Sequence, residues 1–437
     1  MIGLALCVAL SYPQEPIETA IAEAVAAVEV AELRGTVETL AGFGTRHVLS
    51  STDDPARGTG AARRYLRARF ESFVAASGGR LTVAPERYEV AASRLGLDVE
   101  LVNIVAMLRG TSDANRIYVV GGHYDSRNGD GADGMHDAPG ANDDASGTAV
   151  AVEVCRVLAA REFPATILFV AYDGEEQGLL GSTEHAKSLV ADDVILDGMI
   201  TNDIVGNTRG MDGVERGGYV RCFSYSPRGN DSVGRSLARA ASRAARMVDG
   251  LDVKLVLRGD RYGRGGDHRP FAQRGVPAIR LTEPREDYSR QHQDVTERDG
   301  EPYADLPEFM DFDYLAQVAR LNVALLLELA SAPRAPSRVQ ASGARDAYDT
   351  LVRWNEVEGA DRYEVVWRDT TAADWEHAKV FAEAAMDRSD ATCGVRLVGV
   401  CLDDVVVGVR SVGKDGSRSR VQTPPEPDAM ANRPVGR

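Results

Sequence analysis

Residues 116–126, "RIYVVGGHYDS", start as an apolar run and finish in polar side chains, which is typical of a buried strand reaching a sheet edge. Residues 146–160, "SGTAVAVEVCRVLAA", follow as a predicted helix. The same rhythm recurs, with helices between further strands in "ATILFVAYDGEE" (165–176), "ILDGMITNDIVGN" (195–207) and "VPAIRLTE" (276–283). Near-continuous apolar strands alternating with helices predict an α/β fold: a mostly parallel mixed sheet flanked by helices on both faces.

The composition changes at the Pro-rich stretch "SAPRAPSRV", residues 331–339. Short alternating runs follow, among them "TLVRWNEVEGADRYEVVWRDT" at 350–370, and they predict a small all-β sandwich. The predicted units are an α/β domain (14–332), a linker (333–339), a β-sandwich (340–425) and a flexible tail (426–437). We expect residues 1–332 to fold and act without the sandwich.

The overall charge restricts the partners. A formal net charge of -16 argues against nucleic acid or an anionic membrane as the main partner. No stretch reaches the roughly 18 apolar residues that a transmembrane helix needs. The apolar start, residues 1–13, is interpreted as a signal segment whose true beginning lies upstream, which predicts a secreted or periplasmic protein. Export would make a disulfide between Cys393 and Cys401 plausible.

Polar, chemically active side chains follow each predicted strand. In an open parallel sheet the carboxyl ends of the strands share one edge, where ligands bind. Any one of these residues alone is more often part of a solvated turn, but their coincidence at every strand end predicts a site. The residues are His123, Asp125, Asp143, Asp144, Glu175, Glu176, Asp203 and His292.

Histidines and carboxylates together suit Zn²⁺ or a related divalent ion, and the absence of cysteine among them argues against a structural zinc knot. The set is too large for one open catalytic metal. Two ions about 3.5–4 Å apart, sharing one carboxylate and one water, would use all of it. A shared carboxylate would also relieve the repulsion between the adjacent Asp143 and Asp144.

Five motifs resemble, in order, those of the M28 family of dizinc aminopeptidases, over roughly residues 35–330. They are "GGHYDS" (121–126), "GANDDASGTAVAVE" (140–153), "YDGEEQGLLGS" (172–182), "TNDIVGN" (201–207) and "RQHQDVT" (290–296). The region after residue 335 resembles a fibronectin type III domain.

The resemblance implies two Zn²⁺ ions per chain and a role for each ligand. His123 and Asp203 would bind one ion, Glu176 and His292 the other, and Asp143 would bridge both.

The resemblance also implies that Glu175 is the general base rather than a ligand. Neighbouring side chains on an extended segment point to opposite sides, so Glu175 and Glu176 need not share a task. Asp125 lies two residues after His123 and is placed to hold the second ring nitrogen of that histidine. Asp144 is assigned a similar orienting part.

Two positions depart from the family pattern. Some members have a tyrosine directly before the last histidine, where it stabilises the oxyanion. Here Gln291 stands there and Tyr288 is the nearest tyrosine, which leaves the oxyanion donor open. A rival histidine, His268, precedes the fourth strand, whereas His292 follows it. We therefore place His268 near the substrate entrance, or in a loop closed by a hydrogen bond, and retain Tyr288 and His268 as candidate substrate-binding residues.

The sequence thus predicts an exported metallo-aminopeptidase acting on peptides or proteins with a free N-terminus. One alternative is another metal amidohydrolase on the same fold, such as a carboxypeptidase or a deacylase. The other is a metal-free receptor or adhesion protein. The presence of all five ligand positions and of Glu175 argues against it.

Overall fold

A mixed sheet of eight strands, all between Leu81 and Thr282, has the order β1-β2-β4-β3-β5-β8-β6-β7. The computed structural model describes residues 16–190, 194–227, 231–345, 347–382, 387–389 and 392–425. The strands of this sheet are β1 (Leu81–Ala92), β2 (Leu97–Leu108), β3 (Asp113–His123), β4 (Ala165–Tyr172), β5 (Ile195–Asn202), β6 (Tyr219–Ser224), β7 (Asp252–Val256) and β8 (Ala278–Thr282). The predicted signal segment, 1–13, and tail, 426–437, lie outside the described residues.

The helices surround this sheet. They are α1 (Pro16–Ala26), α2 (Val30–Gly42), α3 (Gly58–Glu71), α4 (Ser146–Leu158), α5 (Leu180–Leu189), α6 (Val233–Ala245), α7 (His268–Ala272) and α8 (Phe312–Ser331). None of the helices in the described part of the chain combines the length and hydrophobicity that crossing a membrane requires.

The centre of the sheet is parallel, as predicted. Strand β3 pairs in parallel with β4 and β5, and β5 pairs in parallel with β8. The antiparallel pairs β1–β2, β2–β4 and β6–β8 flank this centre, and the outer pair β6–β7 is again parallel. The sequence did not predict β6 and β7, because both are short and β7 is only half-buried.

Helices cover both faces of the sheet, and the side chains of β3 show how. Tyr118 and Val120 belong to the large apolar cluster that contains the buried faces of α4 and α8. Val119, between them, belongs to a second cluster that includes Ala186 of α5 and Phe271 of α7. Successive residues of a strand point to opposite faces. Both faces of β3 are therefore dry, which explains its continuous apolar run.

The C-terminal region forms two small antiparallel sheets, as predicted for a small sandwich. One has the order β11-β12-β16-β15 and the other β14-β13-β17. Their strands are β11 (Gln340–Gly343), β12 (Thr350–Asn355), β13 (Arg362–Asp369), β14 (His377–Ala382), β15 (Asp387–Ser389), β16 (Thr392–Leu397) and β17 (Val405–Val412), while a separate hairpin pairs β9 (Thr296–Arg298) with β10 (Glu301–Tyr303). Both sheets contribute to one core around the buried Trp354. The fibronectin type III assignment stays a prediction.

The disulfide expected between Cys393 and Cys401 is absent. Cys401 carries a free thiol, although strand β16 and the following loop bring the two cysteines into the same small domain. The sandwich is stabilised by its apolar core instead.

Buried polar contacts join the sandwich to the α/β domain. Asp231 lies 2.6 Å from Arg239 of α6 and 3.2 Å from Arg368 of β13, and both arginine side chains are about 1% exposed. The two guanidinium groups also flank the ring of Trp375, at 5.2 and 5.7 Å from its centroid. Such contacts give no support to the expectation that residues 1–332 fold alone.

The Asp231 pairs give the first prediction. Asp231→Ala leaves the buried guanidinium groups of Arg239 and Arg368 without this carboxylate, and breaking a buried pair typically costs about 3–5 kcal/mol. We expect a lower thermal unfolding midpoint. Glu38→Ala, which removes an exposed partner of Arg34, should cost less than about 1 kcal/mol. Equal midpoints for the two variants would contradict an interface that stabilises the whole chain.

Candidate metal centre

The predicted ligands converge at the carboxyl ends of the central strands. His123 is the last residue of β3, and Asp203 directly follows β5. Glu176 lies in the loop after β4, His292 in the loop after β8, and Asp143 in the irregular turn that precedes α4. The rule that ligands bind beyond the strand ends thus accounts for the position of the site.

Asp143 lies between two groups of potential ligands. His123, Asp143 and Asp203 form one group, and Asp143, Glu176 and His292 the other; within each, one ligand atom per residue lies within 4.8 Å of the others. Oδ1 of Asp143 is 3.2 Å from Nε2 of His123, and Oδ2 is 3.1 Å from Nε2 of His292. Each carboxylate oxygen therefore faces a different group, as a carboxylate bridging two cations must.

The donor atoms fit a metal. Nε2 of His292 and Oε1 of Glu176 lie 2.8 Å apart, yet both buried atoms lack a hydrogen-bond partner among the described residues. Buried polar atoms without partners are costly, and a cation between them would satisfy both. A set of imidazole nitrogens and carboxylate oxygens without thiolate is one that zinc accepts in catalytic sites.

The site has an excess of buried negative charge. Burial raises the pKa of the Asp203 carboxyl to about 7 and that of the Glu175 carboxyl well above its usual range. Burial alone would lower the pKa of His292, but the carboxylates of Glu176 and Asp143 outweigh it and raise that pKa to about 10. The raised pKa values mean that these side chains hold their protons more tightly, and the protons balance part of the buried negative charge. A divalent cation would balance that charge instead.

Asp125 fixes several parts of the centre at once. Its carboxylate accepts the backbone N–H of Glu175 and of Glu176, each at 3.1 Å, and Oδ1 lies 3.3 Å from Nδ1 of His123. The contact with His123 was predicted because Asp125 lies two residues after it in the sequence. The two amide contacts were not, because they join segments that are distant in sequence.

Asp144 turns away from its neighbour. Its Oδ2 accepts the backbone N–H of His123 at 3.0 Å, and its Oδ1 accepts those of Gly147 at 2.9 Å and Ile204 at 3.1 Å. The Asp143–Asp144 peptide bond is cis. Through its three hydrogen bonds Asp144 ties together β3, α4 and the end of β5, which is a broader orienting part than predicted. Asp143 faces the ligand groups instead.

Sequence reasoning missed three supporting residues. Asp305 accepts the backbone N–H of Asp143 at 2.7 Å, and the buried Arg46 donates to the carbonyl oxygens of Pro139 and Gly140 at 2.5 and 2.9 Å. Arg127 places Nη2 3.1 Å from Nδ1 of His292. None of them lies in a periodic segment or a metal-ligand pattern, so the sequence carries no signal for them.

A cavity of about 320 Å³ opens onto the centre, and its lining includes Glu175. Neither Tyr288 nor His268 lies in that lining. His268 is buried and its Nε2 lies 2.7 Å from the carbonyl oxygen of Gly259, which is the loop-closing arrangement considered for it. Tyr288 is half-exposed beside Arg264. The geometry gives no support to substrate contact by either residue.

Comparisons with known proteins identify the family of this chain. The model of peptidase family M28 matches residues 103–305. A probable zinc metalloprotease of Pyricularia oryzae is 40% identical over 443 residues, covering 95% of this chain and 86% of the relative. The chain belongs to peptidase family M28. A probable zinc metalloprotease of Pyrenophora teres f. teres is 39% identical over 415 residues, covering 90% of this chain and 84% of the relative.

Solved structures share the fold of this M28 peptidase. The LapA aminopeptidase of Legionella pneumophila superimposes with a TM-score of 0.55 at 18% identity, covering 76% of this chain and 80% of that one. BSAP, a zinc aminopeptidase of Bacillus subtilis, gives 0.51 at 16% identity, covering 69% of this chain and 95% of that one. The M28 chain is a zinc metalloprotease with the fold that these two proteins share.

The second prediction concerns Asp125. Asp125→Asn keeps the side-chain size but presents an amide N–H to one of the two backbone N–H groups, and losing such a supporting contact typically weakens metal binding about 10–100-fold. Competition against a chromophoric chelator measures the zinc affinity. Asp137→Asn, at an exposed residue paired with Arg57, is the control. An unchanged affinity in Asp125→Asn would show that Asp125 does not support the ligands.

Proposed function

We propose that this zinc metalloprotease is an aminopeptidase that holds two zinc ions per chain and removes N-terminal residues from peptides or proteins. The observation that carries the proposal is the position of Asp143, whose two carboxylate oxygens face two separate ligand groups. The two aminopeptidases that share the fold support the direction of cleavage.

The ligands divide between the ions by these groups. His123 and Asp203 would hold one, Glu176 and His292 the other, and Asp143 both. When bound, the pair of ions supplies Lewis acidity that activates the attacking water and polarises the peptide carbonyl. The thiols of Cys155 and Cys222 are buried, and neither lines the cavity. The proposed reaction therefore assigns no role to these cysteines.

Glu175 is assigned as the general base. It lines the cavity, yet it belongs to neither ligand group, whereas its neighbour Glu176 does. Asp125 accepts the backbone N–H of Glu175 at 3.1 Å, which fixes the backbone of Glu175 beside the ligand groups. Glu175 takes the proton of the attacking water and passes it to the nitrogen of the leaving amine.

The third prediction separates the two glutamates. Glu175→Gln cannot accept a proton, so it should bind about two zinc ions and lose roughly 10²–10⁴-fold in kcat. Glu176→Gln replaces an anionic ligand with a neutral amide, so it should lose one zinc and recover partly in excess zinc. Elemental analysis and kcat of both variants provide the measurement. Loss of metal in Glu175→Gln with retention in Glu176→Gln would mean that the roles are reversed.

The fourth prediction tests the direction of cleavage. Peptides with a free α-amine should be hydrolysed, and the same peptides with an acetylated α-amine should not. A chelator should abolish hydrolysis, and added zinc should restore it. Cleavage of the acetylated peptides at their C-terminal residue would instead favour a carboxypeptidase, and release of the acyl group would favour a deacylase.

A further inference from the structure

The walls of the cavity have the opposite charge to the molecule. The chain carries a formal net charge of -16, and the acids that line the cavity are Asp143, Glu175, Glu176 and Asp203, all of which belong to the metal centre or act beside it. Every other charged side chain in the lining is an arginine. These are Arg94, Arg127, Arg261, Arg264 and Arg269.

These five arginines form an arginine wall around the cavity, and neighbouring acids only partly neutralise its charge. Arg261 and Arg264 share one oxygen of the buried Glu286, at 2.7 and 2.9 Å. The other oxygen of Glu286 lies 2.9 Å from a third guanidinium, that of Arg221. One carboxylate thus serves three arginines, with Asp260 as a second partner of Arg261 at 3.2 Å.

Arg94 and Arg269 are neutralised even less by neighbouring acids and are therefore better placed to bind an anion. Both side chains are exposed, and no carboxylate in the described ranges lies within ion-pair distance of either. Arg94 donates to the backbone carbonyl of Glu176 at 2.9 Å, which holds it beside the metal centre. Arg269 projects from α7 beside Gly265, where a Cβ would come within 2.7 Å of its Nη1. The absence of a side chain at Gly265 therefore leaves room for this guanidinium.

The cavity offers little to an apolar substrate residue. Leu179 is the one apolar side chain in its described lining, which otherwise includes Gly178, Gly263 and Gly265. Its volume of about 320 Å³ is at the lower end of the roughly 300–1,000 Å³ typical of ligand sites. A small, polar substrate suits such a cavity better than a bulky apolar side chain.

We propose that the substrates carry a carboxylate close to the scissile bond, and that Arg269 and Arg94 bind it. Guanidinium groups pair with carboxylates through two parallel hydrogen bonds, which fixes both position and orientation. The carboxylate belongs to the residue that follows the scissile bond: it is either the α-carboxyl group of a dipeptide or an acidic side chain. This inference rests on the proposed aminopeptidase function and specifies its substrate class.

The experiment compares matched substrates on the zinc-loaded enzyme. Ala-Gly against Ala-Gly-amide tests a terminal carboxylate, and Ala-Glu-amide against Ala-Gln-amide tests a side-chain carboxylate. In at least one pair, kcat/KM should favour the acid by about tenfold or more, as expected for a hydrogen bond to a charged group. The pair that shows the preference identifies the source of the carboxylate.

Arginine variants test whether the preference for acidic substrates depends on the arginines of the cavity. Arg269→Gln should remove most of the preference, and Arg269→Lys should retain part of it because the charge remains. Arg353→Gln, at an exposed position on the sandwich, is the matched control and should leave the preference unchanged. Equal kcat/KM values within both pairs, or a preference that survives in Arg269→Gln, would overturn the inference while leaving the aminopeptidase function intact.

A binding measurement keeps the inference testable if the proposed function fails. By calorimetry, the zinc-loaded Glu175→Gln variant should bind Ala-Gly about tenfold or more tightly than Ala-Gly-amide, or Ala-Glu-amide about tenfold or more tightly than Ala-Gln-amide. Cleavage of acetyl-Ala-Glu but not of Ala-Gly-amide would remove the aminopeptidase function and still support carboxylate recognition. Equal affinities within both pairs would overturn the inference in either case.

Discussion

The position of one carboxylate, that of Asp143, determines how the rest of the site is built. Its oxygens lie 3.2 and 3.1 Å from two histidines that come from opposite ends of the motif set. A buried anion placed so closely needs a rigid backbone around it, because small displacements change its interaction energies steeply. Asp305 holds the amide of Asp143, and Arg46 holds the carbonyl groups of the preceding turn. Buried polar groups thus replace apolar packing at the point where the sheet meets the ligands.

The sequence predicted the central sheet because each of its strands can be recognised from its own residues. Strands β3, β4 and β5 are covered on both faces and are therefore apolar over most of their length, which is visible without any knowledge of the fold. Strand β7 alternates between half-buried and exposed residues, and nothing in its composition distinguishes it from a loop. Three of the predicted ligands, His123, Glu176 and Asp203, lie at or just after the end of an apolar strand. Asp143 and His292 lie much farther into the loops that follow β3 and β8.

What the sequence could not predict depends on contacts between distant loops. Asp125 was expected beside His123, but its hold on the amides of Glu175 and Glu176 follows from the packing of β3 against β4. The five arginines around the cavity come from three separate loops and a short helix, and they share no spacing in the sequence. The attachment of the sandwich likewise depends on single residues such as Asp231, each of which resembles an ordinary surface acid in the sequence.

The opposed directions of Asp143 and Asp144 limit how this turn tolerates change in length. The turn is enclosed on both sides: a Cβ on Gly140 would lie 2.5 Å from the carbonyl oxygen of Asp143, and one on Gly147 would lie 2.0 Å from that of Asn202. Inserting one residue between Gly140 and Asp143 would move Asp143 into the place of Asp144 and Asn142 into that of Asp143. Deleting one residue there would move Asp144 into the place of Asp143 and Ala145 into that of Asp144, so in either case one of the two places would lose its carboxylate. Point substitutions elsewhere in the loops do not change the positions of Asp143 and Asp144 in the turn. The spacing from Gly140 to Gly147 is therefore a stricter requirement on the chain than the identity of most side chains around it.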